Sequence, residues 1–187
     1  VEQNSPVRVI KITKPVRVNV GDAWAELRPD TAFRMDFTID FDDAAIGHQE
    51  KSMKLANGAF VHELCDSRTF CKNSDVEMMR ANGLALGGTF ENAVVFDRGT
   101  VLSPGGLRHA DEPVRHKMLD ALGDLALAGG PILGAYSGHR AGHSLTNALL
   151  RKLFAQPGAY RLVDCDETRM AQLPGAGLSR SDAPLIA

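Results

Sequence analysis

The chain has 187 residues, enough for one domain with a substantial core. Its 21 basic and 23 acidic residues leave a net charge of −2, so no basic field marks nucleic acid as a partner. No apolar run approaches the roughly 20 residues of a membrane span, and no signal-peptide pattern is visible. Cys65, Cys71 and Cys165 lack CxxC spacing, so reduced thiols and a cytoplasmic location are expected.

Residues 1–5 read as a frayed start. Segments 7–12 and 16–20 are β-branched and alternate with basic residues, predicting two strands separated by Lys14-Pro15. A Gly21-Asp22 turn leads into a third strand over 23–28. Phe33, Met35, Phe37, Ile39 and Phe41 then alternate with Arg34, Asp36, Thr38 and Asp40, the pattern of a strand with one buried face. Asp40, Asp42 and Asp43 lack a calcium-loop glycine pattern and read as a solvated turn. Asn57 is a candidate cap for a helix over 58–67, and a short helix over 75–81 stops at Asn82-Gly83. The glycines of Gly83-Leu84-Ala85-Leu86-Gly87-Gly88 are followed by no Lys-Ser/Thr pair, which favours a tight turn over a phosphate loop. Segments 93–96 and 100–102 flank Asp97-Arg98-Gly99 as a hairpin.

A helix over 112–128 is predicted by Asp111 as cap, Pro113 in its first turn and Gly129-Gly130-Pro131 as its end. A buried strand over 131–136 and a helix over 143–155 follow, the latter with Leu145, Leu149, Leu150, Leu153 and Phe154 facing the core. Residues 166–187 show no period and are expected to be a mobile tail. The expected fold is α+β: a two-layer sandwich with helices on one face of a mainly antiparallel sheet. It would form one domain over 1–165, with a small helix–strand insertion at about 71–91.

The chemistry concentrates on the central helix. Val114, Met118, Leu122 and Leu125 share one face, while His116, Lys117, Asp120 and Asp124 fall within an arc on the other. A histidine and an aspartate four apart rise from adjacent turns and can close on one metal ion, although a solvated helix face has the same spacing. His143 opens the last helix, and an antiparallel return of the intervening strand brings it near Asp124. A carboxylate that keeps an imidazole charged and oriented beside a metal lets an amide hydrolase protonate its leaving group.

Several stretches together resemble one bacterial family. Ser67-Arg68-Thr69-Phe70, the 83–88 glycine run, Asn92-Ala93-Val94-Val95 and Leu107-Arg108 are similar to the UDP-3-O-acyl-N-acetylglucosamine deacetylases, LpxC. So are the 114–124 block and Gly142-His143-Ser144-Leu145-Thr146-Asn147, in order and at the right spacing. The resemblance implies a zinc hydrolase of lipid A biosynthesis that removes acetate from the nitrogen of a UDP-linked, acylated N-acetylglucosamine. It implies zinc ligation by His116 and Asp120, a charged His143 as acid, Asp124 as its orienting group, and an oxyanion hydrogen bond from Thr69. Lys117, Phe70 and Gly88 would meet the substrate, and Val76, Met79 and Leu84 in the insertion would enclose its acyl chain. The family has two domains of similar fold, and its first supplies another zinc-ligand histidine beside a glutamate base. His48 and His62, with Glu50 and Glu63 nearby, do not reproduce that pattern. The chain therefore resembles the second domain alone, with an incomplete zinc site that needs the missing first domain. The competing reading is a free-standing, non-catalytic domain that binds a nucleotide-sugar or a protein. The ending Ala183-Pro184-Leu185-Ile186-Ala187 resembles the tail through which some family members are handed to a membrane protease.

Overall fold

A computed structural model describes residues 8–56, 58–170 and 173. The early β-branched segments form β1 (Arg8–Ile12), β2 (Val16–Val20) and β3 (Ala23–Arg28). The period-two stretch forms β4 (Phe33–Asp40), whose Phe33, Met35, Phe37 and Ile39 are all buried. After β5 (His48–Lys54) and α1 (Ala59–Glu63) come β6 (Thr69–Lys72), α2 (Asn73–Ala81), β7 (Ala93–Asp97) and β8 (Thr100–Val101). The chain continues through α3 (Glu112–Leu125), extended by a 3₁₀ turn over Ala126–Ala128, then β9 (Ile132–His139), α4 (His143–Ala155), β10 (Tyr160–Asp164) and α5 (Glu167–Met170).

Seven strands make the main sheet, with β9 at its centre. It pairs in parallel with β1 and β4 and antiparallel with β3, while β1–β10, β2–β3 and β4–β5 are antiparallel. Antiparallel pairs therefore prevail, as expected. Along β3 the alternation separates two surfaces: Ala25 and Leu27 are fully buried, whereas Glu26 and Arg28 join Asp36 and Ser137 in a half-exposed polar network. Val114, Met118, Ala121 and Leu125 of α3 and Leu145, Leu149, Leu150 and Leu153 of α4 fill one core with the buried side of the sheet. Gly138 in β9 lets Phe37 lie against the backbone, since a Cβ there would stand 2.8 Å from the ring.

The segment that holds the expected insertion has a sheet of its own. β6 and β7 pair in parallel with α2 as their crossover, and β8 folds back on β7 through Arg98 (φ 45°) and Gly99 (φ 82°). Strands β5, β6 and β10 were not expected. None of the three contains a fully buried residue, so hydrogen-bonded pairing holds them without leaving an apolar alternation in the sequence. The helix expected over 58–67 contracts to 59–63, starting from Gly58 in the left-handed region. The strand expected over 131–136 runs on to His139.

Within the segment expected to be a tail, α5 occupies Glu167–Met170, and Leu173 is buried against Val9 and Leu133. The candidate cap Asn57, the frayed start and the protease-tail ending lie outside the described residues.

Candidate active site

The candidate side chains come from two helix faces and one strand end. His116, Lys117, Asp120 and Asp124 project from the side of α3 opposite its buried Val114, Met118 and Leu125. His143 is the first residue of α4, which packs against α3. Its Nδ1 lies 2.9 Å from Asp124 Oδ2, and its Nε2 lies 4.0 Å from Asp120 Oδ2. His116 Nε2 is 3.4 Å from Asp120 Oδ1, and the Lys117 ammonium donates to Asp120 Oδ2 at 2.9 Å. Asp124 and His116 are largely buried, whereas the His143 side chain is 65% exposed.

The arrangement at His116 suits a cation. Its Nδ1 faces the Ser67 carbonyl at 3.2 Å and its Nε2 faces the Asp120 carboxylate. A carbonyl and a carboxylate only accept, and a neutral imidazole carries one proton, so both contacts cannot be hydrogen bonds at once. A doubly protonated ring would satisfy both contacts, and so would a cation held by Nε2 and Asp120, with the Nδ1 proton left to Ser67. Two donors do not complete a zinc site, and among the described residues no group of three His, Cys, Asp or Glu side chains is placed to hold a metal.

Beside these residues lies a cavity of about 510 Å³. His116, Lys117, Asp120, Thr69 and Phe70 are among the residues that line it, and Val76, Met79, Gly88, Phe41, Ile46 and Val95 line it as well. Phe70 stands edge-on to His116, Phe41 and Phe96. Leu84 is 60% exposed and is not among the residues lining this cavity, whereas Ala85 and Phe90 are. The tight turn explains this, because Ala85 at φ 54° redirects the chain just after Leu84. A smaller cleft of about 270 Å³ shares Lys72 and Lys117 with this cavity and adds Arg140; Lys72 and Arg140 are two cations not singled out from the sequence.

Two charge clusters around the start of α3 also escaped sequence reasoning. Glu112, fully buried, pairs with Arg68, and burial pushes its carboxyl up while hydrogen bonds from Arg68 and Arg108 bring it below the usual range. Arg115 bridges Asp111 and Glu63, which Lys51 also contacts. Burial raises the carboxyls of Asp111 and Glu63 too, but Lys51 and Arg115 leave both lowered. The available signal was position: Arg68 sits inside the Ser67–Phe70 motif, and Arg115 directly precedes His116.

The family model described as LpxC, UDP-3-O-acyl N-acetylglycosamine deacetylase, matches residues 1–155. The chain belongs to the LpxC family. Each residue of the α3–α4 cluster falls inside that match. Curated LpxC relatives include a UDP-3-O-acyl-N-acetylglucosamine deacetylase of Shewanella frigidimarina, 49% identical over 168 residues. That alignment covers 89% of this chain and 55% of the relative. The enzyme of the same name from Shewanella violacea is 46% identical over 172 residues, 91% of this chain and 56% of the relative. The chain thus spans about half the length of the curated relatives it matches. Among the described residues no helix is long and apolar enough to cross a membrane.

Proposed function

We propose that the chain acts as the second half of a zinc-dependent UDP-3-O-acyl-N-acetylglucosamine deacetylase of lipid A biosynthesis, in the cytoplasm of a Gram-negative bacterium. The observation that carries this reading is one run of contacts, His116–Asp120–His143–Asp124, each 4.0 Å or less from the next, beside an apolar cavity. His116 and Asp120 would hold zinc, which when bound supplies Lewis acidity toward an amide carbonyl and water. His143, oriented by Asp124, gives its proton to the amine nitrogen as the C–N bond breaks. Thr69 donates a hydrogen bond to the carbonyl oxygen as charge develops there. The acyl chain occupies the cavity between Phe70, Val76, Met79 and Gly88. The diphosphate end meets Lys117, with Lys72 and Arg140 in the adjoining cleft.

A third zinc ligand and the general base come, on this reading, from a first domain that docks against this one. The incomplete ligand set and the half-length coverage of the relatives support that division. Groups that act as a unit fail together, so the chain alone has negligible activity.

A deacetylation assay of the chain alone and of its mixture with a relative's first domain tests this. We expect turnover only in the mixture, limited by the loss of covalent linkage. In the mixture His143→Ala abolishes turnover and leaves zinc bound, whereas His116→Ala loses both. Robust turnover by the isolated chain overturns the two-half reading, and a mixture without turnover favours a non-catalytic binding domain.

A further inference from the structure

We infer that the buried Glu112–Arg68 pair is a positioning device for the metal end of the site, setting the tautomer and orientation of His116 through the backbone of residues 67–69. The inference rests on the proposed metal-ligand role of His116. Glu112 is 0% exposed and the Arg68 side chain 8%, so each charge depends on the other. The carboxylate accepts from four donors. Arg68 N (2.9 Å) and Nε (3.0 Å) reach Oε1, while Arg68 Nη2 (3.1 Å) and Arg108 N (2.7 Å) reach Oε2. Arg68 Nη2 also donates to the Gly106 carbonyl at 2.7 Å, tying the loop before α3 into the same cluster.

The placement of this cluster gives it a function beyond stability. Glu112 is the first residue of α3, one helical turn ahead of His116 on the same side. Arg68 lies between Ser67, whose carbonyl faces His116 Nδ1, and Thr69 at the start of β6. Glu112 thus grips the backbone N–H of residue 68 from the helix that carries His116. The two sides of the site, separated by 44 residues in sequence, are locked in register by one carboxylate. With the Ser67 carbonyl held in place, Nδ1 keeps its proton and the Nε2 lone pair stays available to a cation beside Asp120. A salt bridge serving stability alone would have no reason to clasp the backbone N–H beside the very carbonyl that faces His116.

The test uses the full chain and Glu112→Gln, which keeps the shape but cannot accept from all four donors. The first readout is the imidazole ¹⁵N spectrum of the metal-free protein at about pH 9. The Nδ1–H fraction of His116 should fall at least about twofold, while exposed His48 is unchanged. The second is zinc affinity by chelator competition, expected to weaken about tenfold, as loss of an outer-shell partner commonly does. Arg68→Lys keeps the charge and the backbone contact but loses the Gly106 link, and should move both readouts the same way by less. It decides the matter if Glu112→Gln does not fold. A folded variant with unaltered His116 tautomer and zinc affinity overturns the inference. If the tautomer moves while zinc never perturbs His116 in the unsubstituted protein, the positioning stands and the metal-ligand role of His116 falls.

Discussion

The two helices beside the cavity are built on opposite terms. α3 buries Glu112, Pro113, Val114, Met118, Ala121 and Leu125, whereas α2 buries no residue at all. The insertion around α2 also leaves Met78, Leu84, Leu86 and Phe90 exposed. Donors to a metal and an acid beside it must hold their geometry to fractions of an ångström, which close packing provides. A wall for a flexible acyl chain needs only apolar surface and can afford local opening. The molecule therefore places its proposed chemistry on the rigid helix and its proposed substrate wall on the loosely anchored one.

The sharpest way to break this contrast is to shorten one methionine in each helix. Met118→Ala, in the core, should cost about 2–5 kcal/mol in urea denaturation. A loss below about 1 kcal/mol would mean that α3 is no more firmly packed than α2.

Acid should act on the same rigid region. The carboxyls of Glu63, Asp111 and Glu112 are lowered in the fold, so their contribution is present above the ordinary carboxylate range and is lost as pH falls through their folded values. A thermal-unfolding series from pH 7 down to about pH 3 should therefore show a decline below about pH 4 that is shallower in Asp111→Asn. An identical slope in the variant would remove Asp111 from the explanation.

The alkaline limb should be weaker. Tyr136 is buried against Thr146, and burial pushes its phenol up to about 12. Its contribution is fully present below about pH 10 and fades as pH rises toward its folded value. Tyr136→Phe should flatten that fade in the same unfolding series, and an unchanged alkaline slope would assign the loss to other groups.

The smallest effect belongs to the insertion. Met79→Ala should change stability by less than about 1 kcal/mol, because α2 has little packing to lose. In the reconstituted two-domain pair it should instead shift relative kcat/KM among substrates of different acyl length. A large stability loss with unchanged acyl preference would reverse the comparison.

The strands and helices that bury an alternating or helical apolar face were visible from their residues, because β4, α3 and α4 each carry a full period of large apolar side chains. The edge strands β5 and β10 were not, since a strand held chiefly by backbone hydrogen bonds has no obligatory side-chain pattern. Within the site, His116 with Asp120 and Asp124 with His143 were readable from helix spacing and the motif. Which way Leu84 faces was not legible, because an apolar residue in a turn carries no record of the turn's direction.

What the sequence determined by itself is therefore local: which residues share the polar face of α3, and that His143 begins the next helix. A four-residue spacing on a helix has one geometric meaning wherever the helix lies. Only the tertiary structure decided that Ser67 meets His116 across 49 positions and that Arg68 meets Glu112 across 44. Those contacts depend on how α3 registers against the insertion. That register is fixed by the summed packing of a core drawn from many distant segments, which no single stretch of sequence encodes.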